Sequence, residues 1–150
     1  MTGPLRIYVA GPFSATTTNT HAALQEVAHN VDRAIGVAVA LIEKGHYPFV
    51  PHLSLYVHTN PACKADLGDW WYRFDNTFID QWAEALFYIA PSRGADAELA
   101  RAEKRGLRIF RCLDEVPRVS AKPRNEASCP FVPECPPKSL VDANRIPFTS

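Results

Sequence analysis

Four short apolar runs rich in β-formers, Leu5 to Ala10, His46 to Pro51, Ala85 to Ala90 and Leu107 to Leu113, alternate with three stretches of helical spacing. That alternation constrains the chain more than any other feature. Strands separated by helices cannot pair as hairpins, so the order predicts an α/β fold: an open parallel sheet of four to five strands flanked by helices. The run at Ala85 to Ala90 (ALFYIA) is unbroken by polar residues, as a strand buried on both faces should be. The first helix is expected from Ala22 to Leu41, where apolar residues recur at three and four, and should stop at Lys44-Gly45. The second is expected from Asp69, with Trp71, Phe74, Phe78, Ile79 and Trp82 on its core face, and the third over Ala95 to Arg105, closed by Gly106. Between Pro51 and Leu67 a long loop is expected, and Pro91 to Gly94 reads as a turn.

The 150 residues, 47% of them apolar, suit one domain with one sizeable core. Seven of the 13 prolines lie from Pro117 onward, where periodicity ends. Residues 1–116 are therefore expected to form the domain and 117–150 an irregular Pro-rich tail. Lys plus Arg (16) balances Asp plus Glu (16), which leaves no cationic excess for a nucleic-acid polymer. The start has neither a spanning segment nor a signal-peptide pattern, so no membrane partner and a cytoplasmic location are expected. Cys63, Cys112, Cys129 and Cys135 are then expected as free thiols. The five histidines show no metal-ligand spacing with them, and no metal or other cofactor is expected. The motifs GxxxxGK[ST], GxSxG and GxGxxG are absent.

Ligands of open α/β sheets bind beyond the carboxyl ends of the strands, which directs attention to three segments. After the first strand come Gly11, Phe13, Ser14 and then Thr16, Thr17 and Thr18, whose N–H and O–H groups suit a phosphate. After the third come Ser92, Arg93 and Gly94, leading to Glu98, an acid expected in the first helical turn and held anionic by the helix dipole. The second helix supplies Asp75, a second carboxylate, with Trp70 and Tyr72 off the core face as platforms for stacking a base. Two carboxyls at one cleft are minimal equipment for cleaving a glycosidic bond.

Taken together, RIYVAGPFS, GHYPFVPHL and the stretch from Asp80 through AEALFYIAPSRGADAELA resemble the nucleoside 2-deoxyribosyltransferase superfamily, over about residues 5 to 113. That superfamily includes nucleoside 5′-monophosphate N-glycosidases and has the flavodoxin-like sheet. The resemblance implies that Glu98 is the nucleophile, that Tyr8 orients it, and that Asp75 contacts the sugar or protonates the departing base. It implies a phosphate on Ser92, where transferases tend to carry an acid, with Ser14 and the following threonines completing the site and Arg93 adding charge. Gly11, Phe13, Gly94 and His52 lie in the matched segments and join the expected substrate-binding set, and Ser120 is a candidate phosphate ligand from a neighbouring subunit. Ala83-Glu84 departs from the pattern, since many members carry an Asp there. The expected activity is hydrolysis of a nucleoside 5′-monophosphate, a 2′-deoxy one on the strength of Tyr8, by a homodimer or a multiple of it. Base exchange by a deoxyribosyltransferase and a non-catalytic nucleotide-binding module are the alternatives.

Overall fold

The computed structural model describes residues 3–63 and 67–119. They form an α/β fold with a parallel, four-stranded open sheet. In chain order the elements are β1 (Arg6–Ala10), α1 (Thr20–Glu43), β2 (Tyr47–Phe49), α2 (Ser54–His58), α3 (Gly68–Gln81), β3 (Ala85–Tyr88), α4 (Arg93–Lys104) and β4 (Arg108–Phe110). The strands lie in the order β2-β1-β3-β4. Tyr8 pairs with Phe49 on one side and Leu86 on the other, and Leu86 with Ile109. From β1 the chain crosses outward to β2, then returns to the other side of β1 to form β3. The gap between the carboxyl ends of β1 and β3 is thus the topological switch point, where this architecture places ligands.

Strand periodicity sorts the core into two layers. Ile7 and Val9 of β1 point to one face, with Ala85, Phe87, Phe110 and the α1 residues Ala34 and Leu41. Tyr8 and Ala10 point to the other, with Leu86, Ile79 of α3 and Ala102 of α4. Past Arg6 the central strands are therefore apolar at every position, because helices cover both sides.

Local signals account for the ends of the elements. Asn19 caps α1, its Oδ1 accepting from the Ala22 N–H at 3.0 Å. Gly45 closes that helix at φ +92°, a conformation that glycine adopts without strain. α4 begins two residues before the expected Ala95, because the Ser92 hydroxyl accepts from the Ala95 N–H at 3.1 Å and draws Arg93 and Gly94 into the first turn. The expected loop after β2 instead contains a 3-10 turn, Pro51–Leu53, and the short helix α2. Proline at the start of the turn is preset for a helical φ, a local cue with no periodicity to announce it. β4 is shorter than expected, since the Arg111 and Cys112 N–H groups turn to Glu115 Oε2 at 2.7 and 3.2 Å.

The chain beyond Val116 stays attached as far as it is described. Buried His46 accepts from the Leu5 N–H at Nδ1 (3.1 Å), and its Nε2 lies 2.6 Å from the Pro117 carbonyl, to which it donates. The Val119 N–H donates to the Lys44 carbonyl at 2.9 Å. Cys63 and Cys112 are free, while Cys129 and Cys135 lie outside the described residues. No helix among the described residues is long and apolar enough to cross a membrane.

Two glycines with opposite surroundings test these backbone arguments. A Cβ on Gly45 would lie 2.9 Å from Val119 Cβ at a positive φ, whereas one on Gly36, inside α1, meets nothing within 4 Å. Gly45→Ala should cost about 1–3 kcal/mol, and Gly36→Ala should add about 0.5–1 kcal/mol. Urea midpoints moving in opposite directions for the two variants are the expected result.

Candidate active site

Tyr8 is the third residue of β1 and is completely buried. Its position in the strand turns the ring toward α3 and α4, where it packs 5.6 Å from the Phe49 ring, and its hydroxyl donates to Glu98 Oε1 at 2.7 Å. Burial, together with the nearby Glu98 and Asp75 carboxyls, holds the phenol well above its usual range, so it remains a donor.

Glu98 comes from α4, but as its sixth residue and not from the first turn as expected. The helix dipole fades beyond the first turn, so it is not what sets the charge of this group. Burial raises the Glu98 carboxyl to about 7, the charge on Asp75 adds to the rise, and the Tyr8 hydrogen bond opposes it. Asp75 of α3 is likewise raised to about 7 by burial, and its Oδ1 is buried without a partner among the described residues. Two carboxyls that each disfavour the other's charge lose their protons as a pair, in separate macroscopic steps. With both carboxyls raised to about 7, each takes up its proton close to neutral pH, where an isolated carboxyl would be fully ionised.

The loop after β1 is fixed from below. Ile89, the residue after β3, donates its N–H to the Ala10 carbonyl at 2.8 Å, and a Cβ on Gly11 would sit 3.1 Å from Ile89. His52, 3% exposed, reaches the Pro12 carbonyl with Nε2 at 3.0 Å and meets Phe13 edge-on at 6.0 Å. Burial lowers the pKa of His52, so the ring is neutral and donates to Pro12. Its visible role is to hold the loop. Asn30, buried on the core face of α1, donates from Nδ2 to the Phe13 carbonyl at 3.4 Å. It escaped the sequence reading, although a lone amide among the apolar positions of α1 was the signal for it.

Ser14 is exposed in this loop, and beyond it Thr16 and Thr17 already have partners. Thr16 donates from its backbone N–H and its hydroxyl to the Glu26 carboxylate at 3.0 and 2.9 Å, and the Thr17 hydroxyl accepts from the Asn19 N–H. The expectation is corrected at Thr16, which a carboxylate already holds and where like charge repels an anion. At the facing loop Ser92 caps α4, Arg93 is exposed and Gly94 borders open space. Asp96 is turned to the Tyr88 hydroxyl at 2.5 Å, with the Arg111 guanidinium 4.9 Å above the Tyr88 ring. Ser120 lies outside the described residues.

A cleft of about 540 Å³ opens between the end of β2, α2 and α3, and Asp75, but not Glu98, forms part of its wall. Trp70 lines it as expected, stacked on Phe74 at 5.0 Å and 12°. Trp71 and Phe74, read from the sequence as core, line it too, and Phe74 is 37% exposed. The reason is that the end of β2 leaves this upper part of α3 uncovered, so the helix's apolar stripe becomes a cleft wall. Tyr72 is 65% exposed and not part of the cleft, which corrects its assignment as a stacking platform there. Ala83 and Glu84 lie at the amino end of β3, where Glu84 Oε2 accepts from the Arg6 N–H at 3.0 Å, at the opposite edge of the sheet from Glu98. Among the described residues no cluster of His, Cys, Asp and Glu has the arrangement to hold a metal ion.

The chain matches no family model, and no curated protein matches it.

A carboxyl whose pKa is raised on folding makes the folded state bind more protons than the unfolded one. Stability is then highest below the unfolded pKa and falls as pH rises through the folded pKa. For Glu98 that decline runs from about 4.5 to about 7. Glu98→Gln keeps the acceptor for Tyr8 and removes the charge. The variant should match the parent at pH 4 and exceed it by about 1–3 kcal/mol at pH 8, which thermal melts at the two pH values will check.

Proposed function

We propose that this protein is an N-glycosidase of a nucleoside 5′-monophosphate, in the manner of the nucleoside 2-deoxyribosyltransferase superfamily that its sequence resembles. The observation that carries the reading is the part-buried Tyr8–Glu98 hydrogen bond with Asp75 near it, both carboxyls raised to about 7, Asp75 also lining an aromatic cleft. Glycosidic cleavage needs one carboxylate and one carboxylic acid at the same moment, and this pair has both near neutral pH.

In the proposed reaction the base lies in the cleft against Trp70 and Phe74. A Glu98 carboxylate oxygen bonds to the anomeric carbon through an oxocarbenium-like transition state as the bond from that carbon to the base nitrogen breaks. The proton on Asp75 passes to the departing nitrogen. Water then attacks the same carbon, its proton returns to Asp75, and the sugar phosphate leaves with Glu98 as a free carboxylate again. Tyr8 occupies Oε1 of Glu98 and leaves the other oxygen for attack. The phosphate falls to the Ser92 ledge, where the capping hydroxyl still has its own proton to donate, the first amides of α4 point outward, and Arg93 stands exposed. Exposed Ser14 of the facing loop completes it. A 2′-hydroxyl would compete with Tyr8 for Glu98, which favours a 2′-deoxy substrate. A cytoplasmic homo-oligomer belongs to the same reading.

Glu98→Ala should lower base release by at least about a thousandfold, read by chromatography of the free base. Near-normal release would remove Glu98 as the nucleophile, and transfer of the sugar to a second added base would reassign the reaction to deoxyribosyl exchange.

The pH dependence follows from the shared proton. kcat/KM should form a bell with its maximum near neutrality, since loss of the pair's proton removes the acid and gain of a second removes the nucleophile. Asp75→Asn should flatten the alkaline limb and lower the maximum, and monophosphates should exceed the matching nucleosides by about tenfold or more.

A further inference from the structure

The loop between β1 and α1 hangs by two carbonyls. That of Pro12 accepts from His52 Nε2 at 3.0 Å and that of Phe13 from Asn30 Nδ2 at 3.4 Å, and both donors are buried, 3% and 7% exposed. Burying an imidazole or an amide costs its hydration, and His52 Nδ1 has no partner among the described residues to offset that loss. A leucine at either position would avoid this cost, so what the two polar side chains supply is their hold on the loop. They come from separate elements, Asn30 from α1 and His52 from the turn after β2. Asn30 also lies outside the segments that resemble the superfamily.

No peptide bond among the described residues is cis, and in a trans peptide the carbonyl and the N–H point in opposite directions. A Pro12 carbonyl drawn inward therefore turns the Phe13 N–H outward, and an inward Phe13 carbonyl does the same for the Ser14 N–H. Neither N–H has a hydrogen-bond partner among the described residues, and both residues are exposed. Successive amides turned to one side make a concave site for an anion, here with the Ser14 hydroxyl next to it. The concavity stops before Thr16, whose N–H and hydroxyl Glu26 already occupies. From this geometry we infer that Asn30 and His52 are positioning residues for the phosphate of the substrate: by holding two carbonyls inward they aim the Phe13 and Ser14 amides at it. This rests on the phosphate placement proposed above, but its binding component stands independently of turnover.

The experiment titrates the full chain with 2′-deoxyribose 5-phosphate and, as the phosphate-free control, 2′-deoxyribose, following backbone amides by NMR. The Phe13 and Ser14 amides should shift with the phosphate ester and not with the free sugar, and the ester should bind at least about tenfold more tightly. Asn30→Leu should narrow that ratio to about threefold or less by weakening the ester alone. His52→Gln, whose side-chain amide still offers a donor to Pro12, should keep more of the ratio than His52→Leu. With a nucleoside monophosphate as substrate, Asn30→Leu should raise KM about three- to tenfold and leave kcat within about twofold. Phe13 and Ser14 amides that do not respond to the ester overturn the inference, as does a ratio that Asn30→Leu leaves unmoved, or equal weakening of ester and free sugar, which would make Asn30 merely structural. Should Asn30→Leu not fold, the amide shifts of the parent and the two His52 variants decide. Absence of turnover alongside the expected shifts and ratios would remove the glycosidase reading and leave the two positioning residues supported.

Discussion

The hydrogen bond from Tyr8 to Glu98 is the contact on which the site depends. It spans 90 residues of sequence and ties β1 at the centre of the sheet to the second turn of α4. Its geometry is inherited from the strand: a slip of one residue in the register of β1 would send Tyr8 to the α1 face and bring Ile7 or Val9 in its place. The bond also makes burial of a carboxyl tolerable, since a phenol that stays protonated supplies a donor where water has been excluded. Even so, burial dominates, and Glu98 is held where ionisation is costly. Two such acids kept together cost the fold stability, and it is on their pairing that the proposed chemistry rests.

Aromatic side chains link this polar centre to the cleft and the core. Phe49 touches Tyr8 on one side and stacks on Phe78 at 3.8 Å on another, and Phe78 in turn meets Phe74 and Trp82 edge-on. Phe74 continues to Trp70 at the open end. The series follows the three- and four-residue spacing of α3, so one helical stripe serves as core near Ile79 and as cleft wall near Trp70. Where it changes role is set by β2, which ends at Phe49 and turns at Pro51. The same prolines that shorten the strand remove backbone donors from the wall, so the truncation both opens the cleft and makes it apolar.

Much of this was legible in the chain. The alternation of β-rich runs and helical periods determines an α/β sheet, because each run is too apolar to face water and each intervening stretch too long for a hairpin. Gly45 and Gly106 mark helix ends by the positive φ they adopt. Tyr8, Asp75 and Glu98 stood out by residue type and by their places at strand ends and on a helix. Tertiary structure decided what local patterns do not encode. The true start of α4 depended on the Ser92 cap and moved Glu98 out of the first turn. The fates of Phe74 and Tyr72 depended on how far β2 extends over α3, and that of Thr16 on Glu26, ten residues away on α1. The protonation of Glu98 and Asp75 depended most of all on the fold, since desolvation is a property of the surroundings that only packing creates. A sequence specifies which groups can titrate and roughly where they lie, but their charge at neutral pH follows from how much water the folded chain leaves around them.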